Sequence, residues 1–128
     1  MLKINNRNIE ILEKYIDFDP FEGTLNGEKI KCNALYITCV TNDFKISIET
    51  AYNIEWVRKL KINDKKDISK YIIGLSYKDE KEWIYLTDEC NCTLNKINNN
   101  LYEIELDGIV EEHNEKFNIK YKDVFEIK

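Results

Sequence analysis

Between Tyr102 and Ile127 apolar and polar residues take turns, and no other feature limits so sharply what the chain can fold into. Tyr102, Ile104, Leu106, Gly108 and Val110 occupy one set of positions, and Glu103, Glu105, Asp107, Ile109 and Glu111 the other. A second run sets Phe117, Ile119, Tyr121, Phe125 and Ile127 against Asn118, Lys120, Lys122, Val124 and Glu126, with Asp123 alone breaking the apolar set. A period of two is that of a strand buried on one face. With a turn at His113-Asn114, Val110 faces Phe117, Leu106 faces Tyr121 and Tyr102 faces Phe125. Asp107 then meets Lys120 and Glu105 meets Lys122, opposite-charge pairs worth about 0.2–1 kcal/mol each. A slip of one residue would undo both matches, so the register is well specified.

The same test pairs Leu35–Thr41 with Phe44–Thr50 around Asn42-Asp43, residue types that tolerate the positive φ of a tight turn. Ile37 then faces Ile48 and Cys39 faces Ile46, which predicts Cys39 as a core residue. Tyr36, Thr38 and Val40 oppose Glu49, Ser47 and Lys45. Asn26-Gly27 is a strong hairpin signal that brings Phe21 opposite Cys32 and Gly23 opposite Ile30. A fourth hairpin joins Tyr71, Ile73, Leu75 and Tyr77 to Trp83, Tyr85 and Thr87 across Asp79-Glu80-Lys81. Ile72, Ile84 and Leu86 make its second face partly apolar, as in strands covered on both sides.

Two segments read differently. Ile9, Leu12 and Ile16, with Ile11, Tyr15 and Phe18, fit helical spacing, so Asn8–Phe18 is predicted as the one helix, capped by Asn8 and stopped by Asp19-Pro20. Tyr52–Ile62 is predicted as a strand, although Val57 and Arg58 fall on the wrong sides of it. The expected fold is mostly β: an antiparallel meander of hairpins forming a sandwich or bent barrel-like sheet, with one short N-terminal helix. At 128 residues the chain has the size of one domain, residues 1–128.

Nineteen basic and 24 acidic residues leave a net charge of −5. That charge argues against nucleic acid or an anionic membrane as the partner and more easily accommodates another protein, basic or neutral. No run of 18 apolar residues occurs, and the polar stretch Lys3 to Asn8 replaces the apolar core of a signal peptide, so the expected location is the cytoplasm. Abundant Lys, Asn and Ile with arginine only at Arg7 and Arg58 fits AT-rich coding, as in a low-GC bacterium or its phage. Cys32, Cys39, Cys90 and Cys92 are expected to be free thiols in that compartment.

Their spacing over separate strands does not suit zinc, whose structural ligands sit two to four residues apart on tight turns. The single histidine, His113, falls at a hairpin tip, and adjacent acids such as Asp88-Glu89 and Glu111-Glu112 point to opposite faces of a strand. No metal, cofactor or catalytic residue is therefore expected. Exposed aromatics ringed by charge mark protein interfaces, and the candidate interface residues are Trp83, Tyr85, Asp79, Glu80, Glu111 and Glu112. The functional expectation is a small acidic inhibitor that occludes a partner protein, of the toxin-immunity or phage anti-defence type. A small-ligand module with an aromatic-lined pocket, in which Tyr71, Tyr85 or Trp56 would line a cavity, is the alternative. A structural subunit of a phage or larger assembly is a third.

Overall fold

The computed structural model describes residues 1–78, 83–112 and 114–127, and for residues 77, 78, 83–89 and 112 it describes the backbone alone. The chain runs through β1 (Leu2–Ile4), β2 (Arg7–Ile9), β3 (Glu13–Leu25), β4 (Glu28–Val40) and β5 (Lys45–Asn53). Helix α1 (Ile54–Arg58), β6 (Lys65–Asp67) and a 3-10 turn (Ser69–Tyr71) lead into β7 (Ile72–Lys78), β8 (Trp83–Lys96), β9 (Leu101–Glu112) and β10 (Glu115–Glu126). The strands form one antiparallel sheet in the order β2-β1-β10-β9-β8-β7-β5-β4-β3, with β6 set against β8.

The registers read from the sequence hold through three hairpins. β9 and β10 pair Val110 with Phe117, Leu106 with Tyr121 and Tyr102 with Phe125. β4 and β5 pair Ile37 with Ile48 and Cys39 with Ile46, and Cys39 is fully buried. β3 and β4 pair Phe21 with Cys32 and Gly23 with Ile30, around Asn26 and Gly27 at φ 52° and 81°. The fourth hairpin forms one residue out of the register that a three-residue turn at Asp79-Glu80-Lys81 would set: Lys78, not Tyr77, stands opposite Trp83, and Ser76, not Leu75, opposite Tyr85; its turn at 79–82 and His113 of the last turn lie outside the described residues.

The sheet does not close into a barrel, because β2 and β3 stand at its two ends. It bends into two facing halves through β8, which pairs first with β7 and then, past an irregularity between Leu86 and Cys90, with β9. Leu35, Ile37, Ile46, Ile48 and Leu75 from one half meet Leu94, Ile104, Leu106, Ile119 and Tyr121 from the other, each no more than 1% exposed. Burying one such aliphatic side chain stabilises by about 1.5–3 kcal/mol, so this shared layer is what holds the halves together.

The predicted N-terminal helix is absent: its residues form β2 and most of the first half of β3. Ile16 and Phe18 turn toward the core, and past Asp19-Pro20 the partly buried set becomes Phe21, Gly23 and Leu25. On β4 the buried set changes in step, from Ile30 and Ala34 to Leu35, Ile37 and Cys39. Within Asn8–Phe18 the apolar Leu12 and Tyr15 are each 50% exposed, and counting them with Ile9, Ile11, Ile16 and Phe18 is what imitates a helix. The predicted strand Tyr52–Ile62 is also corrected, since β5 ends at Asn53 and the chain turns into α1. The Asn53 side chain accepts from the Glu55 amide at 3.1 Å, Val57 is buried and Arg58 exposed, which resolves the pair that did not fit alternation.

Smaller differences have local causes. The Asn42-Asp43 turn uses no positive φ; instead the Thr41 hydroxyl donates to the Phe44 carbonyl at 2.9 Å and accepts from its amide at 3.2 Å. Tyr71 belongs to the 3-10 turn rather than to a strand. An irregularity opposite Glu49 and Thr50 leaves Ile73 turned outward and 40% exposed. The acids and lysines of β9 and β10 stand opposite each other in register, but the ion pairs drawn are oblique: Lys122 reaches Glu103 at 4.0 Å and Lys65 reaches Glu105 at 3.9 Å.

Candidate functional site

Alternate turns of an antiparallel meander lie at opposite ends of the sheet, so the sandwich has two unlike ends. One is capped: α1 and the 3-10 turn bring together Tyr52, Trp56 and Tyr71, with ring centroids 5.1 to 5.4 Å apart. Tyr52 is buried, and burial together with the neighbouring Tyr71 raises its hydroxyl above the ordinary value. These rings pack edge-on and tilted against one another.

The other end is open. The Asn5-Asn6 turn, the Asn42-Asp43 turn and the near ends of β9 and β10 surround an apolar groove of about 410 Å³. Ile4 of β1, Ile9 of β2, Val110 of β9, Phe117 and Ile119 of β10, and Phe44 line it. The strand residues arrive by alternation, since Ile4 pairs with Ile119 and Val110 with Phe117, and Phe44 is carried in by the turn before β5. Asn5 and Arg7 stand at the rim. Asn5 is tied down, its side chain accepting from the Asn118 amide at 2.9 Å. Arg7 is exposed and makes no ion pair among the described residues.

Of the interface residues expected from sequence, Glu111 is exposed beside Val110 at this open end, opposite Lys116. Trp83, Tyr85 and Glu112 are described only as backbone, and Asp79 and Glu80 lie outside the described residues. Sequence reading missed the groove because its walls come from the first nine residues and from strands a hundred positions later. Leu2, Ile4 and Ile9 do alternate with polar residues, which was the available signal.

The thiols are set apart from this end's chemistry. Burial pushes Cys39 and Cys90 up to about 11 and raises Cys92 and Cys32 as well, so at neutral pH they are protonated and poorly nucleophilic. All four are free, and among the described residues no group of three or more His, Cys, Asp or Glu is placed to hold a metal. No described helix is long and apolar enough to cross a membrane. No family model matches the chain, and no curated protein and no solved structure matches it either.

Proposed function

We propose that the chain is a small acidic protein-binding inhibitor of the toxin-immunity or anti-defence type, occluding its partner with the open end of the sandwich. The observation that carries this reading is the groove between Ile4, Ile9, Phe44 and Val110. A concave apolar site with a polar rim is where a partner's anchoring side chain is desolvated, and such anchors supply most of the energy of an interface. The net charge of −5 favours rapid encounter with a basic partner.

The test mixes the purified chain with the products of the genes that neighbour its own and reads a 1:1 complex by light scattering after gel filtration. Ile9→Asp, on a short half-exposed edge strand, is expected to weaken that complex at least 30-fold, about 2 kcal/mol or more. If none of those products binds, the inhibitor reading fails; if one binds and Ile9→Asp leaves it unchanged, the groove is not the site. The groove volume also falls in the range of small-ligand pockets, about 300–1,000 Å³, which favours as second reading an apolar ligand with its acidic group at Arg7. A rise in Tm with a medium-chain carboxylate that Arg7→Gln abolishes would select that reading.

A further inference from the structure

Charge is distributed unevenly along this chain. Between Ile54 and Tyr71 stand six basic residues and three acidic ones, which leaves 13 basic and 21 acidic residues in the remainder. The fold draws that segment over the capped end of the sandwich: α1 follows β5, β6 lies against the last part of β8, and the 3-10 turn leads into β7. Arg58, Lys59, Lys61, Lys65, Lys66 and Lys70 are all exposed there. Lys96 joins them from β8, its ammonium donating to the Arg58 carbonyl at 3.2 Å.

The three acids of the segment leave most of this charge unpaired, and Asp64, exposed, makes no ion pair among the described residues. Glu55 pairs with Arg58 at 3.2 Å. The Asp67 carboxylate accepts from the Ser69 hydroxyl at 2.6 Å and from its amide at 2.9 Å, bonds that hold it below the usual carboxyl range. Lys65 reaches outside the segment to Glu105. Among the described residues Lys59, Lys61 and Lys66 have no ion pair. Aromatic surface lies in the same place, since Trp56 and Tyr71 are only partly buried and the Lys70 ammonium sits 5.2 Å over the Tyr71 ring.

We propose that this end is a second surface, which binds single-stranded nucleic acid through its phosphates. Lysine is depleted in protein interfaces, where its hydration and flexibility count against it, but exposed ammonium groups gathered in one short segment suit phosphate contacts that position a strand without reading it. Partly exposed Trp and Tyr rings in the same segment are surfaces on which bases stack. The net charge that set the expectation against nucleic acid averages two unlike regions. Acidic groups farther from the phosphates than about 8 Å, the screening length at physiological salt, count for little.

The full-length chain is titrated into a fluorescently labelled single strand of about a dozen nucleotides, within the span a small domain covers, and anisotropy is read. With about four phosphates neutralised, affinity is expected to fall about 50-fold between 50 and 200 mM salt. The triple variant Lys59→Glu, Lys61→Glu, Lys66→Glu is expected to lose at least tenfold. A control triple, Lys45→Glu, Lys116→Glu, Lys120→Glu, makes the same change in net charge toward the opposite end of the strands and is expected to stay within threefold. Circular dichroism melts establish that both variants fold, and the corresponding glutamine triples repeat the comparison without charge reversal.

Absence of binding at 50 mM salt overturns the proposal, as does equal weakening by both triples. Competition by an acidic peptide as effective as the oligonucleotide would instead make this a surface for acidic proteins. None of these results bears on the groove, which lies at the opposite end.

Discussion

Asp123 interrupts the apolar set of β10, and its neighbours explain why a carboxylate is accommodated there. The Lys14 ammonium of β3 donates to it at 2.7 Å and the Tyr121 hydroxyl at 2.9 Å. Burial by itself would raise the Asp123 carboxyl, but the bonds from Lys14, Tyr121 and the Val124 amide outweigh it and hold it below its usual range. A carboxyl lowered in the folded state stabilises above its unfolded value and loses that contribution as pH falls through the folded one. Asp123→Asn is thus expected to lower unfolding free energy at pH 7 by about 1–2 kcal/mol, a charged hydrogen bond's worth reduced for partial exposure. In urea titrations the gap from the parent chain should narrow below about pH 4; an equal gap at pH 7 and pH 2 would contradict this account. The thiols make a second prediction at the same scale. In the native protein at pH 8, a disulfide reagent should modify Cys32 first and reach Cys39 and Cys92 only on unfolding, because the latter two are at most 1% exposed. Sequence showed Asp123 as an anomaly, but not its remedy, since Lys14 lies 109 residues away.

At the level of elements, β3 is an edge strand of 13 residues, and such edges invite pairing with other chains. Leu25 and Glu28 flank a two-residue turn, and in that geometry they exchange both backbone bonds. Counting back from Leu25 sets residue 20 among those whose backbone groups face away from β4. Proline, which has no N–H, stands on the open edge where its missing donor leaves no ladder bond unmade. Pro20→Val is expected to leave Tm within a few degrees while increasing concentration-dependent light scattering; unchanged scattering would mean that the charges of β3 protect the edge unaided. The proline that reads in sequence as a helix stop is therefore an edge guard, a role that depends on where the strand lies in the sheet. Helix α1 shows the converse. Asn53 is a good cap residue by type, but five helical residues after a long strand carry too little periodicity to announce themselves. Asn53→Ala is expected to cost about 1 kcal/mol by thermal or urea unfolding, and to perturb the fluorescence of Trp56, whose ring α1 places against Tyr52.

Across the molecule, the two halves approach tightly at a position where one of them lacks a side chain. A Cβ built on Gly108 would stand 2.9 Å from the Leu75 methyl and 3.4 Å from the Cys90 sulfur. Leu75 is fully buried, so its methyl can yield only by moving against packed neighbours. Gly108→Ala should therefore cost about 1–3 kcal/mol through overpacking, read as a lower urea midpoint with unchanged slope. Leu75→Ala in the same chain should recover part of that loss, since the two changes share one space. The same packing separates the ends, one closed by the aromatic cluster under α1 and the other open between β1, β2 and the β9–β10 hairpin, so a groove and a basic face never compete for one surface.

What the residues determined unaided was local and periodic. Three hairpins and their registers follow from Tyr102–Ile127, Leu35–Thr50 and Asn26-Gly27, because alternation and turn chemistry act between positions close in sequence. Tertiary structure decided everything that depends on which way a strand faces once a second layer arrives. It reversed the buried side of β3 at Asp19-Pro20, turned Ile54–Arg58 into a helix that covers the core, supplied Lys14 to Asp123, and assembled the groove from the first and last strands. Those outcomes come from packing two bent halves of one sheet against each other, and packing sums over contacts that are distant in the chain.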